Sequence, residues 1–446
     1  MKNFEQYGIK VPEVLLPKKS VDLKAWSVVA CDQYTQDRDY WKRVSDFVQE
    51  KPSTLHITFP EVYLQDDDKK DRIQKIRSTM ATYCQSNEVF EDAFSGMIYL
   101  ERTTEYGRVR KGLVTAIDLE TYEWKPFAQS LIRATEATIV DRIPPRMEIR
   151  NGAPLELPHI MLLVDDKKGL LVEALGKKVK ESQANVLYDT DLMENAGHIT
   201  GWGIAQDEEL QAVSEALAVL AKENTQKDGS VFLFAVGDGN HSLATAKAVW
   251  EEVKKTAGSS DGSIPASVEH HAARYALIEI VSIYDEGLTF EPIHRVLFNA
   301  HAEDLLGNLK EKLSATIENC DSQETLENLV KNSKSNFGFV YEKNGEICYT
   351  CLKASLSGLA VSFLQPALDS FIKDSSKEIE IDYIHGSEEV FRLGGNKGVI
   401  SILLPPIEKN SFFATISQNG PLPRKSFSMG EASEKRFYME CRKLFS

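Results

Sequence analysis

VGDGNHSLATAKA, Val236 to Ala248, decides the fold, because it joins a short apolar run directly to an amphipathic helix. The run Val231-Phe232-Leu233-Phe234-Ala235-Val236 follows the turn signal Asp228-Gly229 and predicts a buried strand. Leu243, Ala246, Trp250 and Val253 recur at three- and four-residue steps, which predicts a helix with one apolar stripe. A strand, a glycine-broken turn and a helix in succession leave unpaired amides beside Asp238, Asn240, His241 and Ser242. The positive end of the helix dipole faces the same spot, so the expected guest is an anion. Gly237 and Gly239 let a ligand approach the backbone, and Asp238 is an oxygen ligand of the type Mg²⁺ takes. The plainer alternative is a polar turn in which Ser242 caps the helix.

Working outward, 446 residues with 42% hydrophobic side chains suffice for two or three domains and a substantial core. The 52 basic and 67 acidic side chains give a formal charge of -15, which opposes non-specific attraction to nucleic acid or anionic membranes. Met1 to Pro17 carries no secretory pattern, and no apolar run approaches a membrane span, so the expectation is a cytoplasmic protein. Six scattered cysteines do not make a disulfide framework. Cys348 and Cys351 have C-x-x-C spacing within a hairpin centred on Asn344-Gly345, which would point the two thiols to opposite faces of one strand.

The first part of the chain alternates strand-like and helix-like segments, including the helix pattern from Asp37 and the apolar strands Ser95–Leu100 and Gly112–Asp118. After Leu297 come helical patterns at Ala302–Thr316 and Gln323–Asn332, the hairpin Phe337–Leu352 and a helix over Leu356–Lys373. Residues 1–299 are expected to form an α/β region with the phosphate loop, and residues 300–446 a C-terminal α/β lobe closing the site. The Gly/Ser-rich stretch AGSSDGSIPAS after the helix is expected to be an exposed loop.

Other polar clusters compete for chemistry. Arg133, Arg142, Arg146 and Arg150 crowd one stretch in which Pro144-Pro145 prevents a single regular helix from carrying all four. Arg146 and Arg150 are expected to be surface arginines paired with Asp141 and Glu148. Asp32 and Gln33 follow an apolar segment, where substrate contacts are common.

The loop resembles the D-G-H-H-R or D-G-H-T-R box of the ParB/sulfiredoxin-like superfamily, in which loop and helix hold nucleotide phosphates. Nearly the whole chain is similar to a large bacterial family of unknown function that carries ParB-like labels. The further blocks of that resemblance are Arg133-Ala134-Thr135-Glu136 with Asp141-Arg142, Pro292-Ile293-His294-Arg295 and Pro423-Arg424-Lys425-Ser426. The box usually has His and Arg where this chain has Asn240 and Ser242, so positive charge for a phosphate must come from elsewhere.

The resemblance implies an α/β (α+β) fold with a ParB/sulfiredoxin-like phosphate-binding core and an additional C-terminal α/β lobe. Because one branch of the superfamily phosphorylates free serine, it also implies a small-molecule phosphotransferase of that kind. Such an enzyme would work with Mg²⁺ and use ATP, ADP or pyrophosphate, or run in reverse on phosphoserine. Glu136, Asp238, His241 and His294 are then the expected catalytic residues, with Glu136 as general base and Asp238 on the metal. Gly237, Gly239, Asn240, Ser242, Arg133, Arg142, Arg295, Lys425 and Ser426 would contact phosphate, and Asp32 and Gln33 the substrate. The partner is a phosphorylated metabolite. A ParB-like nucleotide-binding regulator or DNA-associated protein, or a noncatalytic phosphometabolite-binding protein, is the alternative.

Overall fold

A computed structural model describes residues 3–182, 185–376 and 378–445. The chain forms two compact units, Met1–Leu288 with Glu431–Ser446, and Thr289–Gly430. This division differs from a cut at residue 300 in one important respect: the last residues return to the first unit.

The first unit is organised by a ten-stranded mixed sheet. In spatial order it runs Val186–Asp191, His198–Ile204, Met97–Thr103, Val109–Asp118, Tyr275–Ser282, Met161–Val164, Phe234–Asp238, Ile132–Arg133 and Tyr122–Glu123. Ile9–Lys10 pairs with Val109–Asp118 off this path. Neighbours are antiparallel except where Met161–Val164 meets Tyr275–Ser282 and where Ile132–Arg133 meets Phe234–Asp238 and Tyr122–Glu123.

Side-chain alternation sends Met97 and Tyr99 to one core and Ile98 and Leu100 to the other, so the sheet is covered on both faces. On one face lie the helices Val172–Val179, Asp207–Glu223 and Asn240–Thr256, through Leu175, Leu217, Leu243 and Trp250 among others. On the other lie Trp26, Trp41 and Val44 with the C-terminal residues Phe437, Tyr438 and Met439. Of the expected stripe, Leu243, Ala246 and Trp250 are buried completely and Val253 is partly buried.

The C-terminal segment threads this second core as an extended strap. Ala30 N–H donates to Arg436 O at 2.8 Å and Tyr438 N–H to Val28 O at 2.8 Å. Arg442–Lys443 then pairs with Leu155–Glu156. Alternate strap residues Arg436, Tyr438, Glu440 and Arg442 are all buried, and the charged ones are neutralised in pairs. Glu279 sits between Arg110 and Arg436, while Glu440 takes Arg436 and the Tyr188 hydroxyl. Buried charge of this kind survives only where each group has its counter-charge.

The second unit holds a six-stranded antiparallel sheet in the order Thr316–Cys320, Glu346–Lys353, Asn336–Lys343, Val399–Leu403, His294–Phe298, Glu380–Ile384. Helices Gln323–Lys331, Ala360–Asp374, Ser387–Gly394 and Lys409–Asn419 accompany it. The Asn344-Gly345 hairpin forms as expected, both residues having positive φ, and Cys348 and Cys351 face opposite ways with only Cys351 buried. The helix expected over Ala302–Thr316 stops at Lys312, and Thr316 opens an edge strand, because Ser314 at φ 49° turns the chain.

Two local expectations shift at the loop. The strand is Phe234–Asp238, later than the apolar run begins, because Val231 is used in an isolated bridge to Thr225 around the Asp228-Gly229 turn. The helix starts at Asn240 after Gly239, so Ser242 is its third residue and does not cap it. Among the described residues, no helix is long and apolar enough to cross a membrane.

Candidate functional site

The register between Phe234–Asp238 and Met161–Val164 shifts between Val236 and Asp238, so Gly237 forms a bulge at the strand end. Bulges re-aim the following side chain, here Asp238. Gly239 then takes φ 80°, and a Cβ there would lie 3.0 Å from Ile160 Cγ1, so both conformation and space call for glycine.

Asp238 accepts the Gly239 N–H at 3.0 Å through Oδ1, and its Oδ2 lies 3.2 Å from Lys435 Nζ of the strap. Lys435 is 9% exposed. Asn240 Nδ2 donates to Thr135 Oγ1 at 3.3 Å, and Thr135 donates to Val236 O at 2.6 Å, which ties the loop to the residue preceding Glu136. Asn240 Oδ1 and His241 Nε2 are buried without a hydrogen-bond partner among the described residues. Such orphaned groups at a loop are a mark of a site built for something else to complete. Burial, then Arg146 and Arg142, push the His241 pKa down to about 4, so its ring is neutral near pH 7.

Ser242 Oγ is 2.7 Å from His159 Nε2, and His159 Nδ1 is 2.9 Å from Tyr438 Oη. Asp32 Oδ2 lies 3.8 Å from the same Nε2. Burial works against the Asp32 carboxylate, yet His159, the Gln33 amide and Lys435 outweigh it and hold its pKa below the ordinary value. Tyr438 Oη also accepts the Cys31 N–H at 3.1 Å. At the edge, Arg146 grips Glu61 with two bonds of 2.8 and 2.6 Å and donates to Arg142 O at 2.9 Å.

Of the residues expected from sequence, Asp32, Gln33, Gly237, Asp238, Gly239, Asn240, His241 and Ser242 therefore converge, with Arg142 close enough to act on His241. Glu136 follows Thr135 and is half-buried.

Arg133 does not join them. Its guanidinium donates to Ser130 O and Ser230 Oγ and stacks 4.5 Å from the Phe232 ring, upstream of the strand whose far end carries Asp238. Arg146 and Arg150 do pair structurally, but with Glu61 and Glu156 instead of the sequence neighbours Asp141 and Glu148.

His294, Arg295, Lys425 and Ser426 belong to the second unit. There the two family blocks meet, since Pro292 pairs with Phe427 and Ile293 N–H reaches Ser426 O at 3.4 Å. His294 Nδ1 accepts the Leu404 N–H at 3.1 Å, and Arg295 donates to Gln365 at 3.0 Å beneath the Tyr383 ring. Ser426 donates to Pro423 O, and Lys425 takes φ 57°. Arg133 and Glu136 aside, the expected residues thus form two clusters, one in each unit.

Sequence reading missed His159, Lys435 and Tyr438. No local period marks them, since Lys435-Arg436-Phe437-Tyr438-Met439-Glu440 does not alternate polar and apolar residues.

The family described as "Protein of unknown function (DUF1015)" matches residues 15–371. The chain belongs to the DUF1015 family. No curated protein matches this DUF1015 member. Among solved structures it is similar to a free serine kinase variant in complex with AMP, and to that variant with ADP, each at 10% identity and TM-score 0.39, covering 74% of this chain and 92% of the other. A conserved hypothetical protein from Pyrococcus furiosus matches at 10% identity and TM-score 0.36, over 74% of this chain and 95% of that one. SbnI with a C-terminal truncation, from Staphylococcus aureus, matches at 7% identity and TM-score 0.35, over 71% and 83%.

Proposed function

We propose that the first unit carries a phosphoryl-transfer centre for a small hydroxyl compound. The observation that carries this reading is the Asp238–Lys435 pair, 3.2 Å apart, at the amide end of helix Asn240–Thr256. A carboxylate, a lysine and first-turn amides together suit a phosphate and its counter-ion. Lys435 is then the cation that the loop itself lacks, in the role an arginine has in the resembling box. The likeness of Gly237–Ser242 to that box supports a ParB/sulfiredoxin-like core and the hydroxyl of serine or a related amino acid as acceptor. ATP, ADP or pyrophosphate is the donor, and phosphoserine is the substrate of the reverse reaction.

Mg²⁺ fits the donor set in one way only. Among the described residues no three His, Cys, Asp or Glu side chains group into a metal cage, and the loop offers a single carboxylate. That matches an ion bound through one protein carboxylate, water and substrate phosphates. Asp238 would hold it, and when bound it would neutralise phosphate charge. Lys435 supports the transferred group, Asp32 and Gln33 hold the acceptor, and Glu136 takes the acceptor hydroxyl proton.

The test is phosphorus NMR of the protein with serine, Mg²⁺ and ATP, ADP or pyrophosphate in turn, and with phosphoserine for the reverse. A new phosphomonoester or its loss is expected. No transfer in either direction contradicts the proposal.

A further inference from the structure

Ser242 stands where the resembling box carries arginine, and its hydroxyl is not spent on capping the helix. It faces an imidazole at 2.7 Å, with a third group on the far nitrogen of that ring. A hydroxyl, a base within hydrogen-bond reach and a group that orients the base are the parts of an activated nucleophile. We propose that Ser242 is a catalytic nucleophile that carries the phosphoryl group covalently, with His159 as its general base.

In the proposed step His159 carries its proton on Nδ1, 2.9 Å from Tyr438 Oη, which has a lone pair to accept it beside the one that takes the Cys31 N–H at 3.1 Å. Nε2 is then the free lone pair that accepts the Ser242 O–H. Asp32 Oδ2, 3.8 Å from Nε2, compensates the positive charge that appears when the proton arrives. Tyr438 is a positioning residue: it sets ring orientation and tautomer. The amides of the first helical turn, which have no partner within the helix, receive the charge that builds on the phosphoryl oxygens.

The step balances. Ser242 Oγ forms a bond to phosphorus as the bond from phosphorus to the leaving phosphate oxygen breaks, and the hydroxyl proton moves to His159 Nε2. In the second half the acceptor hydroxyl attacks the phosphoserine and gives its proton to Glu136. The Ser242 oxygen leaves and recovers the proton from His159, and Glu136 releases its proton to solvent.

For its natural donor this inference rests on the phosphoryl-transfer reading, so the test uses a probe that does not. The full-length protein is treated with diisopropyl fluorophosphate, from which fluoride leaves, and the adduct is mapped by peptide mass spectrometry. One adduct at Ser242 is expected. It should be absent in Ser242→Ala and form at least 100-fold more slowly in His159→Ala, with added imidazole restoring the rate, an effect that a packing role for His159 would not produce. Nitrogen-15 NMR of labelled histidine should report His159 as the Nδ1–H tautomer, and Tyr438→Phe should shift that signature. No adduct in the wild type, or labelling indifferent to His159→Ala, overturns the proposal. Transfer from a nucleotide or pyrophosphate without an adduct overturns the covalent step alone. An adduct without such transfer supports the nucleophile and counts against phosphoryl transfer.

Discussion

Lys435 Nζ sits 3.2 Å from Asp238 Oδ2 and joins the loop to the C-terminal strap. On the proposed reading, the chain completes its anion site with a residue far from the loop in sequence. The strap is fixed by backbone bonds to Leu15, Val28 and Ala30 and by the buried Arg436 and Arg442 pairs, so Lys435 is delivered on a rigid element. A preorganised cation costs little ordering entropy when a ligand binds.

Asp238→Asn and Glu136→Gln test the assigned roles. Each is expected to lower phosphoryl transfer by about 100-fold or more, because general-base and charge-positioning groups contribute on that order. Circular dichroism should be unchanged for both. An active Glu136→Gln removes the base assignment.

Gly239→Ala tests the loop geometry. The residue has φ 80°, and the added Cβ would meet Ile160 Cγ1 at 3.0 Å and Ile160 Cα at 3.1 Å. The expected loss is about 1–3 kcal/mol of stability, read from the urea midpoint, together with loss of transfer.

Much of the fold was legible because period decides it. The second half of the apolar run before Asp238, the residues Leu243, Ala246 and Trp250 of the stripe and the Asn344-Gly345 hairpin each follow from local pattern, and each formed. The loop residues were legible for the same reason. Lys435, His159 and Tyr438 were not, because their roles come from long-range pairing of the strap with Val28 to Ala30, which no local period encodes. Arg133 misled for the converse reason: its place in the chain is beside Glu136, but its side chain turns to Phe232 and Ser230.

Glu279→Ala tests the buried network. Glu279 is fully buried between Arg110 and Arg436, whose charges outweigh burial and hold its pKa below the ordinary carboxylate value. Removing it leaves Arg110 without its carboxylate, at a cost of about 3–5 kcal/mol. Urea unfolding measures this.

Stability should fall on acidification through the buried histidines. Burial, then Arg295 and His385, push His294 down to about 4 from 6.5. The unfolded chain therefore binds the proton first, so the contribution of His294 is complete above pH 6.5 and is lost as pH falls toward 4. Between pH 7 and 5 it amounts to on the order of 1–2 kcal/mol. His241 acts with the same sign. His198 acts oppositely: burial lowers its pKa, but Asp191 and Asp189 outweigh this and raise it, so its contribution is present at low pH and lost as pH rises. It is 40% exposed and solvent screens it, so buried His294 and half-buried His241 dominate. Urea midpoints at pH 7 and 5 should differ less in His294→Gln than in the wild type.

Calorimetric titration of pyrophosphate with Mg²⁺ into the wild type and Lys435→Met tests the anion site most directly. One equivalent should bind the wild type, and the variant should bind at least about 10-fold more weakly, since a charge-assisted hydrogen bond of about 1.5–3 kcal/mol is lost. Absence of binding in the wild type, or equal affinity in the two proteins, would contradict the account.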